Sequence, residues 1–462
     1  MQVVATAGHK GQGKSSLVRA LTGTDPVGRP APAADLDAAW TTLPSGARLA
    51  FVDAPADARG APPVGLGTAS AVIVVVAADE GWLPQTAEHL AAIEALGVRD
   101  GLLVVTRADR TDPKLAMRQA RAKIERTTLA GAECVAVSAR TGAGIDDVTA
   151  ALDRLVRRLP QPSPAAPVRL WVDGSSMAGG PLGNATVVTG TLPEGTIRVG
   201  DQLIVAGRAV RVGAVRTPAG AVEQVSGVSR VALTLTGAVR PIALGTPLVV
   251  GGRWTHTTSL DVRHGFGAAS GRLPPQLTLH IGSAAVPVRL RALGPDTARL
   301  TLNTALPLHV GDRALLRDPA RRAVARIHVL DVRPPPLTPR GAATSRAREL
   351  ATWPDRPGGE QLLRRHGVLR AADLEVMGCA APPEAVRVGP GWFADPGHWE
   401  SLRRRLLHEL TRHAEVNPGT PGIPLEAARL RLGLPERSLV ERLVQPPLRL
   451  HEGRVYAAAA SR

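Results

Sequence analysis

The stretch Gly8-His9-Lys10-Gly11-Gln12-Gly13-Lys14-Ser15 constrains the fold more than any other part of this chain. It follows the apolar run Val3-Val4-Ala5-Thr6-Ala7 and precedes the helix-like run Ser16-Leu17-Val18-Arg19-Ala20-Leu21. Strand, then G-x-x-x-x-G-K-S, then helix is the context a phosphate-binding loop needs. The glycines let backbone N–H groups turn inward, and the dipole of the following helix favours an anion. Gly8 through Ser16 are the expected phosphate contacts. Lys14 is placed to reach the β- and γ-phosphates and Ser15 to ligate Mg²⁺.

With 462 residues the chain has room for several domains with cores of their own. Two cysteines, Cys134 and Cys379, exclude a disulfide framework and fit a reducing compartment. The first strand begins at once, so no leader is expected. No apolar run of about 18 residues occurs, so neither a spanning helix nor a membrane partner is expected. These features predict a soluble, cytoplasmic monomer.

The formal charge is +16, which points to a polyanionic partner. Only four of the 56 basic residues are lysine, and an arginine bias beside abundant Ala, Gly and Pro also fits a GC-rich genome. With 3 Phe, 7 Trp and 1 Tyr the chain is poorly supplied for stacking bases, so any nucleic-acid contact is expected to run through phosphates and shape.

Residues 1–159 alternate strand-like and helix-like segments and predict a parallel sheet covered by helices. Strands are expected at Leu49–Val52, Ala71–Ala77, Gly101–Thr106 and Cys134–Ser138, with helices at Thr86–Leu96, Leu115–Thr127 and Ile145–Leu159. The proline-rich run 160–167 reads as a semi-rigid linker. From 168 to 333 short β runs separated by glycine turns predict two β barrels, 168–252 and 253–333.

Past the prolines at 334–339 the chain turns helical and basic, as a winged-helix-like unit at 341–395 and a winged-helix unit at 396–462. In Pro396–Glu415 the residues Trp399, Leu402, Leu406, Leu407 and Leu410 fall on one side and Arg403, Arg404 and Arg405 largely on the other. A helix-turn-helix spacing spans Pro424–Leu443, and two short strands follow around Glu452-Gly453. Arg403, Arg404, Arg405, Arg437 and Arg442 are the candidate nucleic-acid contacts, although an arginine run on a helix is also what a solvated face looks like.

Three strand ends extend the nucleotide site. Asp53 closes the strand after Leu49, where a P-loop protein places the carboxylate that orders Mg²⁺. Thr106-Arg107-Ala108-Asp109 closes the strand from Gly101, and a carboxylate there accepts both donors of guanine's N1–H and 2-amino edge, which adenine lacks. Ser138-Ala139-Arg140 follows the next strand and offers a backbone N–H to guanine O6. The order of these motifs favours GTP, with Mg²⁺, over ATP.

The chain resembles the selenocysteine-specific translation elongation factors, the SelB family of elongation factor Tu-like GTPases. The likeness lies in Ala5-Thr-Ala-Gly-His9, Ala39-Trp-Thr-Thr-Leu-Pro-Ser-Gly46, Ala77-Ala-Asp-Glu-Gly-Trp-Leu-Pro-Gln-Thr-Ala-Glu-His89, Val187-Val-Thr-Gly-Thr-Leu192, Arg198-Val-Gly-Asp201 and Leu308-His-Val-Gly-Asp-Arg-Ala-Leu315. It implies an α/β P-loop GTPase domain, two β barrels that grip selenocysteinyl-tRNA, and winged helices directed at a messenger RNA hairpin. The implied activity is GTP-dependent delivery of that tRNA to the ribosome.

Several positions depart from the family pattern. Lys10, Gly11 and Gln12 replace V-D-H in the loop G-H-V-D-H-G-K. The switch-I threonine aligns with Ala33. The switch-II motif D-V-P-G-H-E has become Asp53-Ala54-Pro55-Ala56-Asp57-Ala58, so Asp57 stands at the catalytic histidine and Ala56 at a glycine that contacts the γ-phosphate. A carboxylate beside a triphosphate disfavours hydrolysis, so binding is expected to survive better than turnover.

In the aminoacyl-tRNA pocket Asp173 is kept. Its arginine neighbour has become Gly174, and a second arginine has become Leu244. About two of the family's usual four winged-helix units are recognisable. These departures leave two other readings open: a non-catalytic GTP-binding regulator of RNA or the ribosome, and a winged-helix DNA-binding regulator.

Overall fold

The structure, a computed structural model, describes residues 1–23, 39–53, 66–180, 183–237, 241–266, 276–318, 323–420 and 422–457. Its contacts divide the chain into two compact units, 1–308 with 312–352, and 309–311 with 353–462.

The first unit opens with six strands and four helices: β1 (Gln2–Ala7), α1 (Lys14–Thr22), β2 (Trp40–Thr42), β3 (Arg48–Asp53), β4 (Ala71–Ala77), α2 (Pro84–Leu96), β5 (Gly101–Thr106), α3 (Lys114–Ile124), β6 (Glu133–Ala136) and α4 (Ile145–Arg158). The sheet order is β2-β3-β1-β4-β5-β6, parallel except for β2. Every residue of β1, β4 and β5 is buried, as apolar runs sandwiched between two helical layers must be. Alternation divides their side chains between the two faces. Val4, Ile73, Val75 and Val104 pack with Leu17, Val18, Leu152 and Leu155 of α1 and α4. Ala5, Val72, Val74 and Leu103 pack with Leu90, Ile93, Ala120 and Ile124 of α2 and α3. Each fully buried leucine contributes about 2 kcal/mol.

Two closed six-stranded barrels follow. In the first, Gln202–Val205, Pro247–Val249, Arg169–Gly180, Gly183–Leu192, Ser229–Thr236 and Arg208–Thr217 pair in that order, and the last strand returns to the first. The second runs Thr255–His264, Thr297–Leu308, Ala284–Ala292, Gln276–Ile281, Arg313–Asp318 and Ala323–Asp331. Closure pairs each of a barrel's six strands on both sides. The second barrel lies against α2: Leu315 enters the α2–α3 core, and Arg313 Nη1 donates to Gly97 O at 3.1 Å.

Helix α5 (Ala342–Ala351) is held to the second barrel by buried ions. Arg346, 2 % exposed, meets Asp331 at 2.6 Å and Asp261 at 2.7 Å, both carboxylates fully buried, and Arg299 donates to Asp261 from the other side. The proline stretch before α5 therefore leads back onto the barrel.

In the second unit, α6 (Gly359–His366) and α7 (Ala371–Val376) accompany a sheet of Val368–Arg370, Trp392–Ala394 and Val386–Gly389. Helices α8 (Pro396–Val416), α9 (Leu425–Leu432) and α10 (Arg437–Leu443) accompany Ile423–Pro424, Arg454–Ala457 and Leu448–His451, the winged-helix pattern. Asp395 caps α8 by accepting from His398 N–H at 2.8 Å. Trp399, Leu402, Leu406 and Leu410 are buried, whereas Leu407 is exposed. The sequence reading placed Leu407 on the buried side, but neighbouring residues on a helix point about 100° apart and Leu406 takes the core position. Val388, Trp392 and Ala394 share one core with α8, α9 and α10, so the two small sheets serve a single hydrophobic cluster.

Candidate nucleotide-binding site

The loop between β1 and α1 owes its shape to three glycines with positive φ, Gly8 at 137°, Gly11 at 88° and Gly13 at 87°. A Cβ on Gly8 would lie 2.3 Å from the Val75 carbonyl oxygen, so no other residue fits there. The N–H groups of Gly11 and Gly13 have no protein partner among the described residues, as a cradle awaiting an anion requires. Lys14 Nζ, at the first residue of α1, donates to Gly8 O and His9 O, both at 2.9 Å, so its ammonium lies across the loop mouth. Ser15 follows it in the first turn of α1, and Ser16 after it is exposed. Lys10 is exposed, whereas Gln12 is fully buried.

Helix α2 braces this loop. His89 Nδ1 accepts Gly8 N–H at 2.9 Å, Thr86 Oγ1 accepts His9 N–H at 3.3 Å, and Gln85 Oε1 accepts Lys10 N–H at 2.9 Å. The Gln12 side chain donates to Gly81 O at 2.9 Å and accepts from Thr86 Oγ1 at 3.3 Å. Burial, followed by the charges of Lys14 and His9, lowers the His89 pKa to about 4, which keeps the imidazole neutral and able to accept. The sequence reading assigned no role to Gln85, Thr86 or His89. The spacing of Thr86 and His89 at the start of the expected helix Thr86–Leu96 was the available signal, and Gln85 lay just before it.

At the other end of the site β5 delivers Thr106-Arg107-Ala108-Asp109. Thr106 Oγ1 donates to Gln12 O at 2.7 Å and so ties β5 to the loop. Arg107 has φ 58°, uncommon without glycine and a mark of local strain at functional sites. It pairs with Asp79 and Glu80, each at 2.9 Å, and its Nη2 donates to Gly11 O. Asp109 accepts from Ser138 Oγ at 2.6 Å and from Arg140 Nε at 2.9 Å. The Ser138 hydroxyl, then the Arg140 guanidinium, hold its carboxyl below the usual carboxylate range. The N–H of Ala139 has no protein partner among the described residues. Thr106, Arg107, Asp109, Ser138, Ala139 and Arg140 thus gather at the ends of β5 and β6, beside the loop.

Asp53, the candidate metal carboxylate, is the last residue of β3 and is paired in register with Thr6, and Ser15, the candidate hydroxyl ligand, lies in the first turn of α1; a hydroxyl and a carboxylate are the donor types a hard cation takes. Ala33, Ala56 and the candidate catalytic Asp57 lie outside the described residues.

Two further sets of candidates are now located. In the first barrel the Asp173 carboxylate is taken up by Arg230 and by Thr189 Oγ1 at 2.8 Å. A Cβ at position 174 would lie 2.4 Å from Thr189 Oγ1, so a side chain there requires the threonine hydroxyl to turn away from Asp173. Leu244 is 67 % exposed and lines a cavity of about 520 Å³ between the barrels, with Thr246, His256, Ala285, Val286 and Leu306. Among the arginines of the winged-helix region, Arg437 is paired with Glu426 at 2.6 Å, Arg403 with Glu400 at 3.4 Å, and Arg405 donates to Arg431 O. Arg404 and Arg442 are exposed and without a partner among the described residues. Among those residues no helix is long and apolar enough to cross a membrane.

Residues 38–158 match the elongation factor Tu GTP binding domain family. A selenocysteine-specific elongation factor of Desulfomicrobium baculatum is 33% identical over 211 residues, 44% of this chain and 33% of that protein. The one from Escherichia coli K12 is 29% identical over 350 residues, 72% of this chain and 56% of that protein. The chain therefore spans between a third and somewhat over half the length of these curated relatives. A crystal structure of a bacterial selenocysteine-specific elongation factor, EF-Sec, superposes with a TM-score of 0.81 at 23% identity, over 100% of this chain and 80% of that one.

Proposed function

We propose that the chain is a divergent member of the selenocysteine-specific elongation factors, within the elongation factor Tu-like GTP-binding proteins, and that it binds GTP and carries an aminoacyl-tRNA of the selenocysteinyl class to the ribosome. The observation that carries this reading is the pairing of a glycine cradle, braced by α2, with the Asp109 carboxylate at the adjoining strand end. The loop N–H groups and Lys14 would hold the phosphates, and Asp109 would take the guanine donor edge. Ser15 and Asp53 would hold Mg²⁺, which when bound neutralises charge between the β- and γ-phosphates. Two barrels of this kind supply a tRNA-gripping body, and the winged-helix region, through Arg404 and Arg442, a phosphate-contacting surface for an RNA hairpin.

We infer that turnover is impaired, because Asp57 aligns in sequence with the family's water-positioning histidine. The pairing of Asp173 with Arg230 favours a second reading, a GTP-binding regulator of RNA or the ribosome that has given up its cargo. Calorimetric titration with GTP, GDP and a non-hydrolysable GTP analogue, with Mg²⁺, tests the common premise. Micromolar or tighter binding is expected; no heat from any of the three would remove both readings. Retention of selenocysteinyl-tRNA by the GTP-loaded protein then separates them.

A further inference from the structure

We propose that Arg140 is an internal competitor for guanine, a latch that occupies the base-reading carboxylate until nucleotide displaces it; this rests on the guanine reading of Asp109 above. The guanine edge that a carboxylate reads is an N–C–N unit with a ring N–H and an exocyclic N–H side by side. The arginine side chain carries the same unit. Arg140 presents Nε and Nη2 together to Asp109 Oδ2, both at 2.9 Å, while Ser138 Oγ takes Oδ1 at 2.6 Å. The fork therefore satisfies the acceptor that the base would use.

Arg140 is built to let go. Its side chain is 78 % exposed and has no other hydrogen-bond or ionic partner among the described residues. It supports no helix end and reaches nothing beyond Asp109, unlike Arg107, which joins the loop to the turn after β4. Ser138 differs again, because its hydroxyl also accepts Thr141 N–H at 3.2 Å and so belongs to the turn itself. An exposed ion pair of this kind is weak, so its effect on affinity is roughly fivefold at most. That is enough to hold the empty site closed and too little to prevent loading.

The consequence is that removing Arg140 tightens guanine nucleotide binding, the reverse of what a base-stacking arginine predicts. Fluorescence titration of the full chain with N-methylanthraniloyl-GDP, comparing the unaltered protein with R140A and R140K, tests this. R140A is expected to bind about three- to fivefold more tightly at low salt, with the difference shrinking as KCl is raised and the ion pair is screened. R140K keeps the charge but loses the fork, so it is expected to follow R140A; thermal midpoints within a degree or two would show that the fold is unchanged. Equal or weaker binding by R140A overturns the latch and leaves the guanine site standing. No binding by any of the three proteins overturns the guanine site and the latch together.

Discussion

The imidazole of His89 accepts the backbone N–H of Gly8 at 2.9 Å, joining the middle of α2 to the first residue of the phosphate loop across 81 residues of chain. This bond requires a neutral ring, and burial supplies it by lowering the pKa to about 4. In the unfolded chain the same histidine titrates near 6.5. The folded state thus binds fewer protons between these values, so stability is present above about pH 6.5 and falls away as pH drops towards 4. The histidine alone accounts for about 3 kcal/mol of that loss, at about 1.4 kcal/mol per pH unit. Urea unfolding at pH 7.5 and 4.5 is expected to show a smaller loss for H89N than for the unaltered protein; equal losses would remove His89 from the account.

Gly8 and Gly11 both sit at positive φ, yet substitution is expected to separate them. Alanine at Gly8 meets a backbone oxygen of β4, which cannot move without disturbing the sheet centre, whereas alanine at Gly11 meets nothing within 4 Å. G8A should cost roughly 3 kcal/mol or more and abolish nucleotide binding, and G11A about 1 kcal/mol from backbone strain alone. Denaturant midpoints measured side by side check this, and similar losses for both variants would contradict it.

The order of the fold was legible because each layer writes a different pattern. Buried parallel strands read as Ala71–Ala77 and Gly101–Thr106, glycine-punctuated β runs as barrels, and Trp399, Leu402, Leu406 and Leu410 as a helix face. The loop was legible because its chemistry is local in sequence. What α2 does for that loop was not, since Gln85, Thr86 and His89 acquire their partners only when β4 and β1 pair. Nor was the engagement of Asp109 by Arg140, two residues 31 positions apart that meet where neighbouring strands end. The docking of α5 was hidden for the same reason: Arg346 reads as a surface arginine until Asp261 and Asp331 are brought beneath it.

Arg346 leads to a third prediction. Its guanidinium bridges two fully buried carboxylates, sharing Asp261 with Arg299 and serving Asp331, and Glu349 closes the outer side at 2.7 Å. Removing one partner of such a cluster leaves uncompensated buried charge, which costs about 3–5 kcal/mol. R346M is therefore expected to lower the urea midpoint sharply and to expose the chain between the second barrel and α5 to proteolysis. An unfolding free energy within about 0.5 kcal/mol of the unaltered protein would mean that the cluster does not hold α5 to the barrel.

Asp109 sets base selectivity in the proposed site. Replacing its carboxylate with an amide removes one acceptor and introduces a donor that faces the guanine 2-amino group. D109N is expected to weaken GDP binding by about a hundredfold or more, because buried polar groups are left unpaired. Xanthosine diphosphate, which carries an oxygen at the 2-position, should regain much of that loss. Competition titration of the two nucleotides on the variant reads both effects, and unchanged GDP affinity would place the base elsewhere.

Asp57 bears on turnover. A histidine at the family's equivalent position orients the attacking water, whereas a carboxylate adds repulsion against the γ-phosphate. On the proposed function, loss of that group is expected to cost about a hundredfold in rate, near 2.7 kcal/mol at about 1.36 kcal/mol per decade. D57H, combined with A56G to return the glycine that reaches the γ-phosphate, is expected to raise ribosome-stimulated GTP hydrolysis by that factor while leaving GDP affinity within about twofold. If the unaltered protein already turns over at the rate of the double variant, the switch substitutions are silent and another residue serves the water. Equal, slow turnover in both proteins would instead shift the defect to Ala33, where the family's hydroxyl ligand to Mg²⁺ is missing, and A33T would be the substitution to restore it.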